Sequence, residues 1–329
     1  MPPSRRRTTL LPATALAAVA LAASGCSAGG APAGGPAAGR SPYRAVAVEE
    51  PSDPSGWTLP LMTYQPDEEQ RRTLVRAEQT LVRSCMKGFG LRWEPSAELP
   101  VVGPRNAMDW RYGIHDARLA ATRGFQPEAA QQERYERALR AEDAEPRLSP
   151  DAEVVLGGSG LPPEALAAAG PEVRAGTFHG RRIPEGGCFT VARDRLGTSA
   201  YGSSQLVARL SGRSFPEATK DPAVKAVFGR WSACMKAEGF TYADPTALFD
   251  DPRFGREPHP VTPLETSTAL ADIRCRGTLR LAETWHAAET RLQNRYIEEN
   301  KERLETERRA LDRAVGNARK ALAEGDGRS

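Results

Sequence analysis

Residues 85–93 read CMKGFGLRW, and residues 234–242 read CMKAEGFTY. Each copy has Cys-Met-Lys, a glycine five residues after the cysteine, then an apolar residue and an aromatic one. Cysteine and methionine each occur only five times in the 329 residues. Two Cys-Met pairs with the same continuation therefore point to an internal duplication. The plainer meaning of such a repeat is a folding unit rather than a chemical motif.

The residues before each copy spell a helix. Asp221 suits an N-cap and Pro222 the first turn. Val224, Val227, Phe228, Trp231, Cys234 and Met235 then follow a helical stripe. In the first copy, Pro66 and Asp67-Glu68-Glu69 place acids at the positive end of a helix. Leu74, Leu81, Val82, Cys85 and Met86 mark its inner face. Gly90 and Gly239 suit the left-handed residue that ends a helix. Each cysteine thus lies near a helix C-terminus on the buried side.

A partner for the second copy follows it. Thr262-Pro263-Leu264-Glu265 has the capping-box pattern. No proline occurs from Leu264 to about Ala323, which predicts one long helical segment. Leu270, Ile273, Gly277, Leu281, Trp285, Ala288 and Leu292 form its inner face. Past Ile297 that face narrows to Leu304, Leu311 and Ala318, which reads as a solvated helix or a weak coiled coil. The expected fold is mainly α: helical hairpins from a duplication, a long C-terminal helix and an irregular insertion.

At the N-terminus, Arg5-Arg6-Arg7 precede an apolar run over residues 10–23 and then Ser24-Gly25-Cys26. The run is too short for a span of roughly 20 residues. This stretch resembles a bacterial lipoprotein export signal. The resemblance implies that residues 1–25 are removed and that Cys26 carries a diacylglyceryl anchor in the lipid bilayer. The expected location is the extracytoplasmic face of the cell membrane, with secretion as the alternative. Residues 26–57, rich in Gly, Ala, Pro and Ser, read as a flexible tether. Residues 58–329 read as the helical domain. Unit 1 spans about 66–200 with an insertion over 95–187, and unit 2 spans about 218–323.

Charge and cysteine usage agree with that address. The chain carries +3 overall, and the three arginines of residues 1–25 account for it. A balanced mature chain argues against a nucleic-acid partner. Beyond Cys26, the cysteines are Cys85, Cys188, Cys234 and Cys275, an even set that suits two disulfides outside the cytosol. Four cysteines allow three connectivities. The hairpin reading favours Cys234–Cys275 and, by duplication, Cys85–Cys188. Closing loops of 103 and 41 residues stabilises by about 4.7 and 3.9 kcal/mol in the chain-entropy estimate. Zinc is the competing use, but no CxxC pair occurs.

The Cys-Met-(x)3-Gly-aromatic element, Ala271-Asp272-(x)2-Cys275 and Tyr296-Ile297-Glu298-Glu299-Asn300 together resemble a group of exported lipoproteins from high-GC Gram-positive bacteria. The likeness covers roughly residues 66–93 and 221–305. It implies no particular activity. It hints at an accessory role beside envelope transport systems.

No motif along the chain assembles a catalytic set. Gly158-Ser159-Gly160 lacks the spacing of a nucleophile elbow and reads as a loop. Glu283-x-x-His286-x-x-Glu289 is the one metal-like helical triplet, but a dimetal bundle needs a second Glu-x-x-His. An exposed charged face is the plainer reading. His115, His179 and His259 have no partner by motif, and Asp250-Asp251 resemble turn residues. Trp93, Trp110 and Tyr112 have the faces to stack on sugars, although packing is the commoner use. Residues 127–142 read as a polar helix, and 156–160 and 175–187 as loops. This insertion is the expected home of any binding surface. The expectation is a non-catalytic, cofactor-free binding or scaffolding lipoprotein with an envelope protein as partner. The alternative is an enzyme acting on wall or extracellular polymer. Nothing in the pattern specifies an oligomeric state.

Overall fold

The computed structural model describes residues 51–144, 146–198, 201–255 and 260–326. Its elements, in chain order, are α1 (Glu68–Gly88), α2 (Ala117–Arg123), α3 (Ala129–Asp143), α4 (Pro150–Gly157), α5 (Pro163–Ala168) and α6 (Pro171–Arg174). A two-stranded ladder follows, β1 (Thr177–Phe178) antiparallel to β2 (Arg181–Arg182), with Thr177 opposite Arg182. Then come α7 (Gly187–Leu196), α8 (Gln205–Ala218), α9 (Pro222–Ala237) and α10 (Pro245–Phe249). The chain closes with α11 (Pro263–Leu279), α12 (Leu281–Glu299) and α13 (Lys301–Asp326). The fold is mainly α, as the spacing predicts. Among the described residues, no helix is long and apolar enough to cross a membrane.

Local chemistry starts the repeat helices where expected. The Asp67 carboxylate accepts the Gln70 N–H at 2.8 Å, and the Gln70 side chain accepts the Asp67 N–H at 3.1 Å. Asp221 accepts the Ala223 N–H at 2.8 Å, with Pro222 in the first turn. Both helices then close alike. Gly90 (φ +73°) and Gly239 (φ +91°) are left-handed. The Leu91 N–H reaches back to the Met86 carbonyl at 3.0 Å, and Phe240 N–H to Met235 at 2.9 Å. This satisfies carbonyls that a helix end leaves open. Both methionines are fully buried.

The disulfides are Cys85–Cys188, joining α1 to α7, and Cys234–Cys275, joining α9 to α11. Beside the second, Trp231 Nε1–H donates to Asp272 at 2.9 Å and Arg276 Nε donates to the same carboxylate at 2.7 Å. Burial drives the Asp272 carboxyl upward, against the pull of Arg276.

The segment from Pro263 onward is not one helix. It breaks at Arg280, which is left-handed (φ +49°), and again at Asn300. No glycine or proline marks either break. The last piece, α13, is not a solvated tail either. Leu304, Leu311 and Ala318 are buried, together with Ala314, Val315 and Ala321. From Leu311 onward the face packs against Leu74, Ala77 and Leu81 of α1. The two helices run in the same direction, since Arg308 bonds the Thr63 carbonyl and Gly325 lies beside Thr80. The seven-residue spacing is thus a dry seam: Leu304 packs with Leu61 and Val207, and the later residues pack on the first copy's helix.

The insertion also divides. Its early part crosses to the second unit. Met108 and Tyr112 join Trp231, Trp285 and Cys275 in one core, and Ile114, before α2, and Ala120, on it, pack on Ala269 and Ile273 of α11. Gly113 permits this approach: a Cβ there would lie 2.6 Å from the Arg276 guanidinium carbon. Residues 150–187 instead stay on the first unit, around Val82, Met86 and Cys188. The expected polar helix is α3, none of whose residues is buried.

Residues 51–57, read as the end of the tether, belong to the folded unit. Asp53 caps a short 3-10 turn at Pro54–Gly56. The Trp57 ring lies 4.9 Å from His286 and 6.2 Å from Tyr112. The Pro/Ser/Gly composition that suggested a tether serves here as a strap.

Candidate functional site

Cys26, the expected lipidation site, and His259 lie outside the described residues, as does the whole of 1–50. Cys85, Cys188, Cys234 and Cys275 are consumed in disulfides, so none is a thiolate nucleophile or zinc ligand.

The Glu283/His286/Glu289 triplet does not converge. Glu283 accepts the Ser52 hydroxyl at 2.8 Å. His286 Nε2–H donates to the Thr58 carbonyl at 2.9 Å and packs on Trp57. Glu289 is not on an exposed face: it is fully buried. It accepts Arg111 Nε at 3.0 Å, the Tyr112 hydroxyl at 2.8 Å and the Ser214 hydroxyl at 2.5 Å. Burial, then the Glu289 charge, push the Tyr112 hydroxyl far above its ordinary range. Gln293 completes the network by donating to Ser214 at 2.8 Å and accepting the Leu61 N–H at 2.9 Å. A buried carboxylate with this many donors is a structural clasp. Tyr112 is therefore unavailable to a sugar. Trp110 lies under the Arg123 guanidinium, and Trp93 meets the edge of Phe189.

His115 acquires partners that no motif announced. Its Nε2 lies 2.8 Å from Asp109 and 3.6 Å from Asp53. Arg105 Nη2 sits 2.8 Å from both carboxylates. Burial raises the Asp53 carboxyl, but bonds from Arg105 and Ser55 outweigh it and bring it to about 2. Asp109 is treated likewise by Arg105, its backbone and His115, and falls further. The three ligand atoms lie within 4.8 Å of one another, a spacing that fits a metal. Arg105 already stands between the acids and supplies the positive charge. The adjoining cavity is ≈ 90 Å³, and no Ser, Thr or Cys is on its wall. That is far below the roughly 300 Å³ of small-ligand sites. The set is a charged clasp that holds the strap through Asp53.

The roomier site lies in residues 154–185. Ser149 caps α4 by accepting the Ala152 N–H at 3.3 Å. Asp151 reaches across to accept the Gly170 N–H at 2.6 Å, fixing the start of α6 against the start of α4. The stretches read as loops meet backbone to backbone, Gly158 against Gly186 and Gly187, all three left-handed. Between these pieces is a cavity of ≈ 510 Å³. Val154, Leu166, Ala169, Val173, Ile183 and Pro184 wall it. Arg174 and Glu185 are its charged groups, both exposed. Arg174 Nη1 donates to the Ala167 carbonyl at 3.2 Å. The wall carries no hydroxyl, thiol or imidazole and only one carboxylate. Such a wall binds apolar groups and has no means of nucleophilic or paired acid–base chemistry. Composition placed a surface in the insertion. It did not mark this cavity, because Val, Leu and Ala at these spacings look like ordinary core.

No protein-family model matches the chain, and no curated protein or solved structure is significantly similar to it.

Proposed function

We propose that this chain is a membrane-anchored extracytoplasmic lipoprotein with a non-catalytic binding role in the cell envelope. The observation that carries the binding role is the open, apolar ≈ 510 Å³ cavity on the first disulfide-pinned unit. The export-signal resemblance at Cys26 and the two disulfides support the address. An envelope protein, such as a component of a transport system, is the partner class that the resemblance favours. The alternative, an enzyme acting on wall or extracellular polymer, has a candidate pair in His115 and Asp109, whose ≈ 90 Å³ cavity is small for such a substrate.

Two experiments test the proposal. Feeding cells an alkyne-tagged fatty acid should label the protein, and Cys26→Ala should abolish both the label and membrane fractionation. Cross-linking in intact cells followed by mass spectrometry should recover a reproducible envelope neighbour. Recovery of unlabelled protein from the cytosol would end the reading.

A further inference from the structure

We propose that the cavity walled by α4, α5 and α6 holds the acyl chain of a long-chain carboxylate, with its head at Arg174. This deepens the binding role proposed above and rests on it. Apart from Arg174 and Glu185, the side chains of the wall are aliphatic, among them Val154, Leu166, Ala169, Val173, Ile183 and Pro184. No aromatic face is present to stack a sugar or base, and no amide or hydroxyl side chain is present to read a polar ligand. A flexible hydrocarbon needs neither. The volume, ≈ 510 Å³, lies within the range of sites that enclose a whole small ligand.

The cavity is also held open. Val154 is on α4, whose end is locked to the start of α7 by the Gly158–Gly187 approach. Val173 is on α6, whose start is tied to Asp151. The Cys85–Cys188 bridge fixes α7 to α1 behind this wall. These constraints oppose the collapse that would otherwise fill an apolar void. At the edge, one Arg174 nitrogen is bonded to the Ala167 carbonyl, and no carboxylate among the described residues pairs with the guanidinium. Its other donors suit a carboxylate head. Glu185 lines the cavity too and repels a carboxylate, which leaves Arg174 as the cationic group on the wall.

The test titrates the full oxidised chain calorimetrically with octanoate, dodecanoate and hexadecanoate. Dodecyltrimethylammonium is the head-group control, and 8-anilinonaphthalene-1-sulfonate is a non-acyl apolar probe. The expected result is one saturable site that tightens with chain length. Ala167→Trp, at an exposed wall position, should weaken hexadecanoate by at least about tenfold, by filling space the chain occupies. Arg174→Glu should weaken dodecanoate by about tenfold, as the loss of one charge-assisted hydrogen bond would, without weakening the ammonium analogue. Should Ala167→Trp fail to fold, the exposed Arg174→Glu variant and its head-group contrast decide alone. Equal affinities for octanoate and hexadecanoate overturn the assignment. Binding of the naphthalene probe alone, lost in Ala167→Trp, overturns the acyl class but leaves a binding cavity for another apolar group, including a partner's side chain. Binding of neither overturns both this inference and the cavity's binding role.

Discussion

Gly158 and Gly187 meet backbone to backbone. A Cβ on Gly158 would lie 2.2 Å from the Gly187 nitrogen, and a Cβ on Gly187 would lie 2.5 Å from the Leu156 carbonyl oxygen. Both residues are left-handed, at φ +58° and +65°. Steric exclusion and backbone strain therefore act together. Gly158→Ala should destabilise the protein by roughly 2–4 kcal/mol. Gly176 offers the control: it is also left-handed (φ +88°), but nothing lies within 4 Å of its Cβ position. Gly176→Ala should cost only about 1 kcal/mol. Urea denaturation of both variants measures the difference, and equal midpoints would show that the close approach does not exist.

Docking of α13 on α1 makes the C-terminal segment part of the core. Leu311 is 3% exposed and contacts the same cluster as Leu74 and Leu196. Leu311→Ala should cost about 2–5 kcal/mol. On a solvated helix the same change would stay within about 0.5 kcal/mol. Chemical denaturation followed by circular dichroism distinguishes these values.

Glu289 accepts from Arg111, Tyr112, Ser214 and Gln293 in the core. Glu289→Gln leaves the half-buried Arg111 beside a neutral amide. The expected loss is about 3 kcal/mol. Glu283→Gln, six residues earlier, alters a half-buried carboxylate that accepts the Ser52 hydroxyl and pairs with the exposed Arg280, and should cost less than about 1 kcal/mol. A common metal role for the triplet would make the two variants similar, and thermal melts of each decide.

The clasp at Asp53 carries a pH signature. Its folded carboxyl lies near 2, below the ordinary 3.8. A depressed carboxylate contributes stability above its unfolded value and loses it as pH falls through the folded one. Stability should therefore decline between about pH 4 and pH 2, with Asp109 extending the decline lower. Asp53→Asn should flatten the part of that slope nearest pH 3. Because Asp53 is half exposed, solvent screening keeps the effect small. Urea midpoints measured across this window, with and without the substitution, provide the check.

The Cys85–Cys188 and Cys234–Cys275 pairs should be recovered by peptide mapping without reductant. Replacing either pair by serine should cost about 2–5 kcal/mol. Recovery of Cys85–Cys275 would contradict the hairpin arrangement.

The helix starts at Asp67, Asp221 and Thr262 and the glycine closures at Gly90 and Gly239 are all legible in the chain. So is the cysteine pairing, once the two copies are aligned. The caps and closures depend on groups within a turn or two of each other. Spacing along the chain then equals spacing in space, and the code is local. Arg280 breaks that rule. Its left-handed turn carries none of the usual punctuation, and the neighbours Leu279 and Leu281 pack in the same core cluster.

The rest came from neighbours that the chain order does not announce. Asp53 meets His115 across a strap whose composition reads as linker. Tyr112 and Glu289 join in the core although one lies in the insertion and the other in the last third of the chain. The Val154–Ile183 cavity depends on the glycine backbone approach at Gly158, the Asp151 bond to Gly170 and the Cys85–Cys188 bridge, which join segments distant in the chain. Leu304, Leu311 and Ala318 show the same seven-residue rhythm whether water or another helix lies opposite. Whether that face is dry depends on α1 and, at Leu304, on Leu61 and α8, which is why only assembly of the whole chain decides it.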